Sequence, residues 1–136
     1  MDIKKITEGS MDNLREHLQK LIPALQITAD SFRAKGEEEA NKNYLICIEA
    51  LQLFDELIDG IKRLFNIDFS KMLINGETIQ GRKEKLLKLT SNMHSAQVNQ
   101  DWITLADLLE YELTPLIEDW IHIIPSLQHE IKVIYQ

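Results

Sequence analysis

The chain has 136 residues, of which 44% are hydrophobic and 27% charged, and its net charge is −7. This length and apolar fraction indicate one folded domain over residues 1–136 and exclude an extended disordered chain. The acidic surplus disfavours binding to nucleic acid or to an anionic membrane surface, because both carry negative charge.

Helical spacing of apolar residues dominates the chain, and the first helix is predicted from Ser10, a favourable N-cap, to about Lys35. Its predicted buried stripe comprises Leu14, Leu18, Leu21, Leu25 and Phe32, with Ile22 and Ala29 beside it. Pro23 removes a backbone donor in the middle of this stretch, so we expect a kink or a break there.

The second helix is predicted from Glu37 to about Asn66, with three acids in its first turn. Its inner face is predicted to comprise Ala40, Tyr44, Cys47, Ile48, Leu51, Phe54, Ile58, Ile61 and Phe65. A second apolar ridge consists of Ile46, Ala50, Leu53, Leu57 and Leu64. So wide an apolar arc predicts a helix that contacts more than one neighbour. The lone cysteine lies among aliphatic residues, which favours a buried core thiol over a nucleophile.

Residues 67–81 form the longest irregular connection, and Asn75-Gly76 within it predicts the turn of a short hairpin. The third helix is predicted from Ile79 to Val98. Asp101 is the expected N-cap of a fourth helix, which Pro115 should bend, and Pro125 suits the first turn of a last short helix.

These elements predict an all-α fold, an antiparallel up-down four-helix bundle whose last helix is bent or split at Pro115 and Pro125. The basic start of the third helix should face the acidic fourth helix. The expected neighbours are Lys88 with Glu110 and Glu112, Arg82 with Glu118, and His94 with Asp107.

The acids of the fourth helix are the first candidate functional cluster. It comprises Asp107, Glu110, Tyr111 and Glu112, together with His94 or His122. One interpretation is a metal-binding or acid–base site, and the other is a solvated face paired with basic residues, with Tyr111 packing its ring in the core. Asp119-x-x-His122 supplies only half of a bundle di-iron motif, so we predict no metal and no cofactor.

Catalytic signatures are missing from the sequence: it holds no phosphate-binding loop, dinucleotide fingerprint or nucleophile elbow. An enzyme is therefore the less expected class. Trp102 and Trp120 are candidate interface residues, because tryptophan is frequent in binding hot spots, although capping of the core is the alternative role.

The segment Asp101-x-x-x-x-Ala-Asp-Leu-Leu-Glu-Tyr-Glu-Leu-x-Pro115, followed by Trp120, resembles one found in small bacterial helical proteins of unknown function. That resemblance implies a helical fold and transfers no catalytic residue. In size and helical design alone, the chain is also similar to bacterial export chaperones of the flagellar type.

We therefore expect a protein-interaction or self-association module, with an unidentified protein partner or a second copy of the chain. The alternative is a bundle, enzymatic or not, that binds a metal ion or a small ligand through the acids of the fourth helix. The start of the chain does not resemble a signal peptide and no apolar run is long enough to span a membrane, so the expected location is the cytoplasm.

Overall fold

The computed structural model describes residues 3–34 and 36–134 and shows an all-helical bundle, which confirms the predicted fold class. The first three helices are α1 (Ile3–Arg33), α2 (Glu37–Phe65) and α3 (Ile79–Val98). The fourth consists of α4 (Trp102–Asp107), a π-helical segment (Leu108–Leu113) and α5 (Thr114–Ile134). The buried apolar side chains form one cluster between these helices. The predicted end of the first helix at Lys35 lies outside the described residues.

α1 is longer and more continuous than predicted. It begins before Ser10, so Ser10 lies inside the helix and is not its N-cap, and Pro23 does not break it. Leu25 and Phe32 remain buried beyond the proline, and the Thr28 hydroxyl donates to the Ala24 carbonyl at 2.7 Å. The helix tolerates the lost backbone bond because the same apolar stripe is buried on both sides of Pro23.

α2 buries the inner face predicted for it, except that Ile48 is only half-buried. The helix ends at Phe65 and is followed by the cap residue Asn66, whose φ of 50° is left-handed. The Ile67 N–H donates to the Lys62 carbonyl at 3.0 Å and closes the helix end. α2 packs mainly on α1, and the Phe54 ring also meets the Trp120 ring of α5 at 5.0 Å. The predicted contact with more than one neighbour therefore exists, but the second apolar ridge does not provide it.

The predicted hairpin is present between α2 and α3. Strands β1 (Leu73–Ile74) and β2 (Glu77–Thr78) pair antiparallel. Asn75 and Gly76 join them with φ values of 53° and 81°, the left-handed pair that a tight two-residue turn requires. The Thr78 hydroxyl then accepts from the Gly81 N–H at 2.9 Å and caps α3.

The fourth helix starts as predicted and is interrupted at one proline rather than two. The Asp101 carboxylate accepts from the Thr104 N–H at 3.2 Å, which confirms the N-cap. The π-helical segment directly precedes Thr114 and Pro115, so the expected irregularity lies there. The prediction of a separate last helix that begins near Pro125 was wrong, because α5 continues through this residue.

Candidate functional site

Three residues of the predicted acidic cluster, Asp107, Glu110 and Tyr111, lie together where α4 meets the π-helical segment. Their centre is Arg33 of α1, which donates to Asp107 at 2.9 Å and to Glu110 at 2.8 Å. Gln26, two turns earlier on α1, also donates to Glu110. The cluster therefore joins the first helix to the fourth, and Arg33 was the member that the sequence analysis missed.

The pKa values in this cluster are shifted in the way that a hydrogen-bonded ion pair produces. Hydrogen bonds from Tyr111, Gln26 and Arg33 lower the pKa of Glu110 to about 2. The pKa of Tyr111 is raised, mainly because its hydroxyl is hydrogen-bonded to the Glu110 carboxylate. The Tyr111 ring lies outside the core, with its centroid 5.6 Å from the Arg33 guanidinium carbon, so the expected burial of this ring was wrong.

The π-helical segment follows from the residues that come after it. Pro115 has no N–H to offer the preceding turn, and Thr114 instead directs both its N–H and its hydroxyl to the Leu109 carbonyl, the latter at 2.9 Å. This wider turn keeps Leu109 and Leu113 buried. Such π turns are frequent at functional sites, although here the adjoining acids are occupied by Arg33.

The other members of the predicted cluster lie elsewhere. Glu112 and His122 are exposed on the fourth helix, and His94 lines a groove between α2 and α3. Within residues 3–34 and 36–134, no three histidine, cysteine or acidic groups are placed to hold one metal ion.

The expected pairing of α3 with the fourth helix is correct at one end only. Arg82 is 4% exposed and its Nε donates to Asp119 at 2.8 Å, one residue from the predicted Glu118. Lys88 was expected to meet Glu110 and does not, because Arg33 of α1 takes that carboxylate. This competing cation lies on α1, outside the pair of helices whose register was predicted.

Arg82 is also bound to the hairpin. Its Nη1 donates to the Ile74 carbonyl at 2.9 Å and to the Glu77 carbonyl at 3.0 Å. One buried guanidinium therefore connects both strands, α3 and α5. At the basic start of α3, Arg82, Lys83 and Lys85 are each paired with an acid inside the chain.

The two tryptophans pack inward. Trp120 is fully buried against Phe54, and Trp102 stacks on Phe32 with ring centroids 5.3 Å apart and an interplanar angle of 10°. Because Trp120 is buried, a partner protein could contact it only if the helices of the bundle separated. Trp102, which is half-buried, stays the more accessible of the two.

A groove lies between α2 and α3, and the sequence did not predict it. It has a volume of about 890 Å³, and it exists because α2 packs closely on α1 while its backbone stays further from α3. Tyr44, Leu51 and Leu86 are buried in its floor, and Leu45 and Leu87 project at its edges with 58% and 71% exposure. Burial raises the pKa of the Tyr44 hydroxyl from its ordinary value of 10.0 to about 12.

The two ends of the groove differ in their side chains. Asp55, Glu56 and Glu84 line the charged end, where Lys83 already pairs with Asp59 and lies 3.9 Å from Asp55. Thr90, His94 and Gln97 line the opposite end. The groove therefore combines an apolar floor with an acidic end.

The geometry is that of a small helical domain with an open interhelical groove. The family model described as Domain of unknown function (DUF8042) matches residues 10–123, and the chain belongs to this family. The expected membership of a helical family of unknown function is confirmed. The role of the Asp101–Pro115 segment as its marker and the bacterial origin stay predictions. No curated protein and no solved structure matched the chain significantly. Among the helices that the structure describes, none is both long and apolar enough to cross a membrane.

Proposed function

We propose that this protein is an interaction module that binds an amphipathic helix of a partner protein in the α2–α3 groove. The observation that carries this proposal is the groove itself, with about 890 Å³ of open space above an apolar floor. Leu45 and Leu87 leave much of their apolar surface in water, and an apolar helix face laid between them would cover it.

The dimensions suit a short helix. The groove extends along α2 from Tyr44 to Glu56, which is about 18 Å at the rise of an α-helix. A partner helix of roughly three turns would fill that length. It would point apolar side chains at positions i, i+3 or i+4, and i+7 between Leu45 and Leu87.

The acidic side chains at one end of the groove indicate the direction in which the partner helix would lie. Glu56 and Glu84 stand at one end of the groove, and the neighbouring Lys83 is already engaged by Asp59. A lysine or arginine at the corresponding end of the partner helix would complement these acids and speed its association. We therefore expect a partner helix that is apolar on one face and basic at one end.

Matched surface variants test the proposal. Leu45→Glu with Leu87→Glu places charges on the groove, whereas Ile103→Glu is a control at a residue that is as exposed as Leu45, at 58%. Each protein is used as bait, and captured proteins are compared quantitatively by mass spectrometry. We expect a partner that the groove variant loses and the control retains, and a synthetic peptide of its amphipathic segment should bind the wild type. Equal capture by all three baits would contradict the proposal.

The contacts of the acidic cluster support a structural role over the alternative of a metal or ligand site. Arg33 already binds Asp107 and Glu110, and Gln26 binds Glu110 as well, so a cation would have to displace these donors. The expected cytoplasmic location stays a prediction.

A further inference from the structure

α2 carries a second apolar surface on the flank opposite the groove. We call it the outer stripe, and it comprises Ile46, Ala50, Leu53, Leu57, Gly60 and Leu64. Its four large side chains are between 37% and 62% exposed. These four large residues lie along one helix face with Ala50 and Gly60 between them, and the His17 ring of α1 reaches the Ala50 carbonyl at 2.9 Å, so a partner would approach the stripe beside α1. Large apolar residues aligned in this way are typical of an interaction surface.

The outer stripe is symmetric along the chain. Each of its pairs is centred on position 55: Ile46 with Leu64, Ala50 with Gly60, and Leu53 with Leu57. In a two-fold interface, residue i contacts residue j while j contacts i. Two antiparallel copies of α2 would therefore place large residues against large ones and small residues against small ones along the whole stripe.

Gly60 is a second and independent indication. A glycine inside a helix costs about 1 kcal/mol relative to alanine. A Cβ atom added at Gly60 would meet nothing within 4 Å, so no packing inside the chain requires a glycine there. Close approach by Ala50 of a second copy would require it, because two small residues let helix backbones come together.

We propose that two copies of this chain associate through their outer stripes, with the α2 helices antiparallel and the two-fold axis between Leu53 and Leu57. The contact would extend over about 27 Å, from Ile46 to Leu64. One helix pair buries less than a standard interface, so the dimer should dissociate at concentrations on the order of micromolar. This surface is separate from the α2–α3 groove, so either proposal can fail without the other.

Sedimentation velocity over a wide range of protein concentration tests the dimer. The wild type should dimerise, and Leu53→Glu with Leu57→Glu should be monomeric with an unchanged helical circular dichroism spectrum. The groove variant Leu45→Glu with Leu87→Glu should dimerise like the wild type. A wild type that is monomeric at several hundred micromolar would overturn the proposal.

Gly60→Leu separates the interface from folding. Since the site is open within the chain, the monomer should fold and its thermal midpoint should not fall. In the dimer the added side chain would meet Ala50 of the second copy, so the dissociation constant should rise at least roughly tenfold. Unchanged dimerisation of Gly60→Leu would show that the outer stripes are not in contact.

Disulfide formation tests the antiparallel direction. Leu53→Cys and Leu57→Cys proteins are oxidised separately and as a mixture, and the native Cys47 does not interfere because it is buried. The mixture should form a cross-linked dimer faster than either protein alone, since positions 53 and 57 would be opposite each other. Equally fast cross-linking of Leu53→Cys by itself would indicate a parallel pair and contradict the proposed geometry.

Discussion

Replacing Arg82 with methionine should destabilise the fold by about 2–4 kcal/mol. Methionine keeps most of the buried aliphatic volume but donates no hydrogen bond. The carbonyls of Ile74 and Glu77 would each lose a charged donor, at 2.9 and 3.0 Å, and each such bond contributes about 1.5 kcal/mol, the lower end of the range for charged donors. The ion pair with Asp119 adds at most about 1 kcal/mol, because that carboxylate is partly exposed.

Urea denaturation followed by circular dichroism measures this loss, and Asp119→Asn is the matched control. The control removes the ion pair and leaves both hairpin carbonyls bonded, so it should cost no more than about 1 kcal/mol. If Arg82→Met lowered the free energy of unfolding by no more than Asp119→Asn does, the guanidinium would not be stabilising the hairpin, and the reasoning would be refuted.

Three further predictions concern separate parts of the fold. Because the folded pKa of Glu110 is about 2, below its ordinary value of 4.5, its stabilising contribution should be present above pH 4.5 and disappear as the pH falls to about 2. Urea midpoints of Glu110→Gln and the wild type should therefore differ at pH 7 and converge in acid, and a constant difference would contradict this. Gly76→Ala should cost about 1 kcal/mol in thermal unfolding, because φ is 81°, whereas Gly76→Asn should cost less; equal costs would count against backbone strain. Burial raises the pKa of the Cys47 thiol, so a thiol reagent should modify it only as fast as the fold opens, and rapid labelling of the native protein would disprove its burial.

Local sequence signals predicted the local structure well. The Asn75-Gly76 turn, the Asp101 cap and the bounds of α3 were all found, because each depends on residues adjacent in the chain. Apolar periodicity likewise identified the buried faces of α1 and α2, since burial follows directly from helical spacing.

Prolines were the main source of error. Pro23 was expected to kink or break its helix and Pro125 to bend or split the last one, yet both lie inside helices that continue through them. Only Pro115 coincides with an irregular segment, where Thr114 redirects its hydrogen bonds to Leu109. A proline removes the same backbone donor at each position, and the packing around it decides whether the helix continues.

The candidate sites depended on contacts distant in sequence, and these could not be derived from one helix hairpin. Glu110 was assigned to Lys88 and Asp107 to His94, whereas both carboxylates bind Arg33, more than seventy positions earlier. The groove was missed for the same reason, because it depends on how far α3 stands from α2.

The proposed binding of a partner helix in the groove is tested most directly by photo-crosslinking at Leu87. A photoreactive amino acid replaces Leu87 in one protein and Ile103 in a control, and the cross-linked peptides are mapped by mass spectrometry. We predict that position 87 captures an amphipathic helical segment with a basic end and that position 103 does not. Cross-linking of the same proteins at both positions, or of no defined segment at position 87, would contradict the account.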